Sequence, residues 1–387
     1  MIVMNHILRL LSRSLAMFAL KKHPEASVSM ITIAPLKDKR MNWLRSKERL
    51  KKVEEKYYEN YELQSDCRIP GIGQHEDGFL LCGGIAEINK EGGLHSYILK
   101  LQYPAGMEET IEAGRGGIDL WPSKEIISLM SLHFHARFFV SSTTTDTLTN
   151  SGIPSRQHHK FIQSSYRFDE DSHVPDLFKD KGNLTTLGIF LSEIEKIPDE
   201  YHRDLIYSIY NYADGIRWIG FDEKIAFLKL IIAIEILAAD KEEIKDSLNH
   251  ELNNIKPKID TELVKEVSNF QKQRRIKKSF IRFILKHKTD FLSSRKKMDM
   301  YVTDENIEKY LGAIYNSRSN YIHEGRPMAI SPLSHYDWDV SPGKTIRGTL
   351  ETSENEQIPT SVFFESLVRH CLLQYIEKLK IPKFTKT

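Results

Sequence analysis

A chain of 387 residues, 40% hydrophobic and 28% charged, has the length of two ordinary domains and the composition of a globular protein. Its 55 Lys and Arg against 53 Asp and Glu leave a formal charge of +2, so overall charge speaks neither for nor against a polyanionic partner. Three cysteines without close spacing (Cys67, Cys82 and Cys371) exclude a disulfide framework and a cysteine-rich zinc site, and suit a reducing, cytoplasmic compartment.

Residues 1–40 read as an N-terminal extension. Ile7, Leu8, Leu11, Leu15 and Phe18 alternate with Arg9, Arg13, Lys21 and Lys22, as in a packing helix or an amphipathic helix on a membrane surface. Arg9 and Arg13 interrupt the apolar core that a signal peptide needs, and no stable membrane association is expected. Residues 41–64 read as a charged helix. The period then changes: Phe79–Cys82, Ile85–Ile88 and Tyr97–Tyr103, separated by Gly83-Gly84 and Gly92-Gly93, predict short strands and a hairpin. Gly114–Gly117 reads as a turn, and no Gly-Lys-Ser/Thr follows any of these glycines, so a phosphate-binding P-loop is excluded. Pro122–Met130 predicts a helix. His133, His135 and Arg137 then alternate with Phe134, Ala136 and Phe138, the pattern of a half-buried strand with a solvated or ligand-contacting face; a metal pair of the two histidines lacks a third ligand. Residues 41–150 thus predict a small mixed α/β domain. Ser141–Pro154 reads as loop and residues 151–169 as linker.

From residue 170 the pattern is helical, with segments over Leu184–Ile197, Asp199–Trp218 and Phe221–Ala239. Ile225–Ala239 carries only Lys229 and Glu235 as charges, is too short to span a bilayer, and reads as a central bundle helix. Glu235 falls in line with Leu228 and Ile232, so it faces the interior and needs a partner there. Residues 271–297 hold 11 Lys and Arg against one acid, Asp290. Arg275, Lys278, Arg282 and Lys286 recur at helical spacing as a basic stripe, with Phe280, Phe283 and Ile284 on the other side. Such a stripe is either a solvated helix face or a surface for RNA phosphates. A last amphipathic helix carries Val362, Leu367, Val368, Cys371, Leu372, Tyr375 and Leu379, and stops by Pro382.

One helix ends in a distinctive way. Asp304 reads as its N-cap, Ile307, Leu311 and Ile314 form its apolar stripe, and Arg318 falls on that same stripe. Gly325 suits the C-cap and Pro327 cannot continue the helix. His323 follows Arg318 by five positions, about 140° around a regular helix, so the two side chains diverge unless the helix frays or two subunits contribute. With 15 His in 387 residues the spacing alone is weak: Arg282 and His287 repeat it in mid-helix, and Arg167 and His173 come close. Residues 324–357 follow with Pro, Gly, Ser and charge and no period; Arg326 there is a further candidate for a phosphate. His250-Glu251 and His323-Glu324 each begin like a zinc-protease motif, but Asn254 and Pro327 stand where the second His would be.

Tyr315-x-x-Arg318-Ser319-x-x-x-His323-x-Gly325 resembles the signature of HEPN domains of the Apea-like group. The resemblance spans residues 170–387 and includes the earlier Glu-bearing apolar helix and the final amphipathic helix. Many catalytic HEPN proteins have Asn, Asp or His directly after the Arg; Ser319 is similar to what Apea-like members show. The fold implied overall is α+β: the small mixed domain followed by an all-α HEPN-type bundle. The activity implied is metal-independent RNA cleavage, without a cofactor, in a homodimer, in toxin or antiviral defence. Arg318 and His323 would be catalytic, with Glu235, Ser319 and Asn320 in support and Arg275, Lys278, Arg282, Lys286 and Arg326 toward RNA. Two alternatives stay open: a non-catalytic HEPN module that binds RNA or a nucleotide or only dimerises, and an unrelated helical interaction module.

Overall fold

The computed structural model describes residues 40–54, 56–75, 79–89, 94–104, 121–146, 182–219, 222–238, 276–294, 302–325 and 359–380. All of them lie in the compact unit Lys39–Thr387. The architecture is mixed α+β and mostly helical, with one antiparallel sheet of five strands.

The strands are β1 (Lys56–Ser65), β2 (Ile72–His75), β3 (Leu80–Asn89), β4 (Leu94–Pro104) and β5 (Phe138–Asp146), in the order β2-β3-β4-β1-β5. Alternation decides which face is covered. In β4, Tyr97, Leu99, Leu101 and Tyr103 point inward; in β1, Tyr61 and Leu63 do. Their register (Tyr61↔Leu99, Leu63↔Tyr97) stacks these side chains into one apolar layer. The opposite face exposes Ile72, Leu81 and Ile98. Helix α1 (Asn42–Leu50) covers the inner face of β4, and α3 (Thr186–Glu195) covers β2. Gly188 permits the second contact, because a Cβ there would stand 2.1 Å from the Gln74 carbonyl oxygen.

The helical layer begins with α2 (Pro122–Phe134), which is buried nearly all round. Helices α4 (Asp199–Trp218) and α5 (Glu223–Ala238) form an antiparallel hairpin, and α2 packs on α4. Asp222 starts α5 by accepting from the amides of Lys224 (3.0 Å) and Ile225 (3.2 Å). The helix over 276–287, here α6, is followed by the short α7 (Phe291–Ser294), then α8 (Ile307–Glu324) and α9 (Ser361–Lys380). Phe227 stacks on Phe364 at 5.4 Å, and Phe280 lies 5.5 Å from Tyr315 and 6.4 Å from Phe364, which ties α5, α6, α8 and α9 together. Sheet and helices share a continuous core.

Buried polar groups secure the junction. His135 ends α2 in the left-handed conformation (φ 52°). Its Nε2 lies 3.0 Å from both carboxylate oxygens of Glu365 in α9, and the Tyr212 hydroxyl donates to the same carboxylate at 2.5 Å. Burial alone would raise the Glu365 pKa, but His135, Tyr212 and Arg369 together hold it below the ordinary range. Arg369 also donates to the carbonyls of Leu132 and His133 at 2.9 Å, closing the C-terminus of α2. At the sheet's end Arg137 pairs with Asp66 at 2.5 Å and donates to the Ile219 carbonyl at 2.9 Å.

Several expectations are corrected. The charged helix over 41–64 stops at Leu50, and residues 56–65 are the strand between β4 and β5. Their outward residues, among them Glu62 and Gln64, gave them a helical look, and pairing with two neighbours overrode it. The stretch 133–138, expected as strand, holds the end of α2 at Phe134, its cap His135 and the start of β5 at Phe138: His133 stacks on Phe190 at 4.5 Å, and His135 is buried rather than solvated. The loop expected from Ser141 is β5 as far as Asp146. The N-terminal extension, the linker over 151–169 and the stretch 326–357 lie outside the described residues. No helix among the described residues is long and apolar enough to cross a membrane.

Candidate functional site

The site is built on α8. Asn306, not Asp304, precedes the helix: its Oδ1 accepts from the Thr303 amide at 2.7 Å, while Asp304 is turned to an ion pair with Lys288. Ile307, Leu311 and Ile314 are buried as their spacing predicts, together with Tyr310 and Tyr315. Arg318 continues that inward stripe. The helix runs unbroken to Glu324 and stops at Gly325 (φ 67°, ψ 12°), whose amide donates to the Asn320 carbonyl. The left-handed conformation is what calls for glycine there, since a Cβ would have open space.

Arg318 meets Glu235 of α5. Its Nη2 donates to Glu235 Oε2 at 3.1 Å, with the Arg side chain 19% exposed and the Glu side chain 16%. The partnership expected from the two interior stripes is therefore present. The ion pair uses only part of either group: Arg318 Nε and Glu235 Oε1 are buried and make no hydrogen bond among the described residues. The guanidinium lies 5.7 Å from the Tyr315 ring. Burial first, and the adjacent Glu235 carboxylate second, push the Tyr315 hydroxyl above the ordinary phenol range. An unsatisfied buried N–H costs about 1–3 kcal/mol.

The remaining candidates are distributed as follows. Ser319 and Asn320 are half-buried beside the pair, and neither joins it by a hydrogen bond among the described residues. Position 323 lies in the last turn of α8, about 140° around the axis from position 318, and the helix does not fray before it. Arg275 and Arg326 lie outside the described residues. Lys278, Arg282 and Lys286 are exposed on α6, where with Ile281, Leu285 and Glu308 they line an open groove of about 540 Å³. Helix α6 lies antiparallel to α8: Lys277 Nζ donates to Asn316 Oδ1 at 2.8 Å near one end, and Lys288 pairs with Asp304 near the other. His287, on the opposite side of α6, packs 4.5 Å from Phe283 and 5.4 Å from Tyr375. Burial, then Lys378 and Lys286, lower its pKa to about 4.

Tyr315, the first residue of the signature, and Asn316 had been given no role in the sequence reading; Tyr315 lies three before Arg318, one turn back on the same face. No protein-family model, no curated protein and no solved structure matches the chain. Function is therefore read from the residues themselves.

Proposed function

We propose that this chain is a metal-independent endoribonuclease of the HEPN type. The observation that carries the reading is the Arg318 guanidinium: four-fifths buried, fixed by Glu235 at one nitrogen, near the end of its helix. A fork of this kind suits a phosphate, whose oxygens accept in pairs, and it is strongest toward the extra negative charge of a phosphorane. RNA supplies its own nucleophile in the 2′-OH. Cleavage then needs a group to take that proton, a cation on the phosphorane, and a group to protonate the departing 5′ oxygen. Arg318 is the cation. His323, with an unperturbed pKa of about 6.5, exchanges the proton near neutral pH. The products are a 2′,3′-cyclic phosphate and a 5′-OH.

The unbroken helix bears on how the pair assembles. Positions about 140° apart on one helix do not converge on one phosphate. The proposed site therefore takes Arg318 from one protomer and His323 from a second, across a two-fold axis. Purified protein in excess EDTA tests the reaction. Wild type cuts single-stranded RNA to cyclic phosphate ends, and Arg318→Ala and His323→Ala each lose about 100-fold or more. Co-expression of the two inactive variants tests the assembly. A heterodimer carries one intact site, so about a quarter of wild-type activity returns. Absence of rescue removes the two-protomer site; cleavage that survives both single variants removes the reading altogether.

One observation favours a second reading. An arginine this buried and already paired also serves as a purely structural group, which fits a non-catalytic module that binds RNA or dimerises. In that case His323→Ala changes neither RNA turnover nor stability.

A further inference from the structure

The outer side of α6 carries a groove whose cations stand in single file. Lys278, Arg282 and Lys286 line it over a floor made by Ile281 and Leu285. Positions four apart on a helix rise about 6 Å, a spacing close to that of successive phosphates on a nucleic-acid strand. Neighbouring lysines are spent on the protein itself: Lys277 on Asn316, Lys288 on Asp304, and Lys378 on the Lys286 carbonyl. Lys278 and Lys286 enter no ion pair among the described residues, whereas Arg282 keeps a contact within the protein. The acid on the rim, Glu308, comes from the first turn of α8.

The file also has a direction. Because α6 and α8 are antiparallel, Lys286 lies toward the start of α8 and Lys278 toward its C-terminal half. We infer that this groove is a track that holds a single RNA strand, with three successive phosphates on Lys286, Arg282 and Lys278 and its riboses and bases over Ile281 and Leu285. A single file of charges meets one strand, whereas a duplex presents two. The contacts are to the backbone, so the track is indifferent to sequence. Glu308 opposes the phosphates and weakens the grip. The choice of RNA as ligand rests on the proposed function; the charge, the spacing and the direction do not.

The test uses the full chain and a short fluorescent 2′-O-methyl oligouridylate, which lacks the nucleophile and is not cut. Three phosphate contacts to a single strand predict an affinity that falls about 20-fold between 50 and 200 mM salt. Lys278→Gln, Arg282→Gln and Lys286→Gln each lower the logarithmic salt slope by about 0.7, and the triple variant loses that dependence. Glu308→Gln binds more tightly than wild type, an outcome that damage to the fold does not produce. Circular dichroism establishes that the triple variant is folded, and the single variants carry the test if it is not. Unchanged affinity and slope in the variants overturn the track. So does wild-type binding to phosphatidylserine vesicles without binding to the oligonucleotide. Failure of the nuclease reading is separable: a chain that holds the uncut strand on these residues but cleaves no RNA loses only the catalytic proposal. One that cleaves with unchanged KM in the triple variant loses only the track.

Discussion

Two neighbouring helices carry the same spacing of Arg and His, and the structure gives the two pairs different surroundings. In α6, Arg282 stands on the exposed groove while His287 is buried against Phe283 and Tyr375. In α8, Arg318 is the inward member, paired with Glu235, and the helix ends two residues after position 323 at a left-handed glycine. A five-residue offset fixes only an angle of about 140° around the helix. The neighbours decide whether the arginine is buried or solvated, and a guanidinium buried against a carboxylate is chemically unlike a solvated one.

The contrast predicts its largest effect in catalysis. Arg318→Ala and His323→Ala reduce RNA cleavage by about 100-fold or more, while His287→Leu leaves it within about twofold if the protein is folded. An equal loss in all three, measured with one RNA under one condition, would erase the distinction between the helices. Stability comes next. Glu235→Ala strands the Arg318 charge and lowers the unfolding free energy by about 2 kcal/mol in urea titrations, and Glu235→Leu with Arg318→Met recovers most of that loss. A double variant as unstable as the single one would show that the pair matters through something other than its charges.

Acid sharpens the comparison from the α6 side. The folded-state pKa of His287 is lowered to about 4, so between about pH 6.5 and pH 4 the unfolded chain binds the extra proton. Stability is fully present above that window and declines as pH falls through it. His287→Leu flattens the slope, and a slope unchanged by the substitution would place the proton uptake elsewhere. The smallest effect concerns the helix stop. Gly325→Ala forces an L-residue into φ 67° and costs about 1 kcal/mol, measurable as a modest drop in Tm.

Much of α8 was legible because local rules and packing agree there. The stripe Ile307, Leu311, Ile314 and Arg318, the stop at Gly325 and the meeting of Arg318 with Glu235 all follow from helical period applied to two segments. Helix α4 was bounded by residues Asp199 and Trp218 in sequence and in structure alike. What failed was decided at a distance. Residues 56–65 are a strand because β4 and β5 flank them, and no local pattern announces two neighbours. The alternation over 133–138 straddled the end of α2 at Phe134, its left-handed cap His135 and the start of β5 at Phe138, a boundary that no local period marks. Asp304 pairs with Lys288 two residues ahead of Asn306, which precedes the helix without capping it by its side chain.

The joint between His135 and Glu365 has a consequence for the order of events during synthesis. The two residues are 230 positions apart, and the carboxylate that meets the imidazole at the end of α2 comes from the last described helix. While residues 361–380 are still being made, the end of α2 has His135 without its Glu365 partner and carbonyls without Arg369. Pairing over such separations forms slowly and late. The sheet, the hairpin of α4 and α5, and the helix that carries Arg318 therefore all emerge from the ribosome before the element that closes their common core.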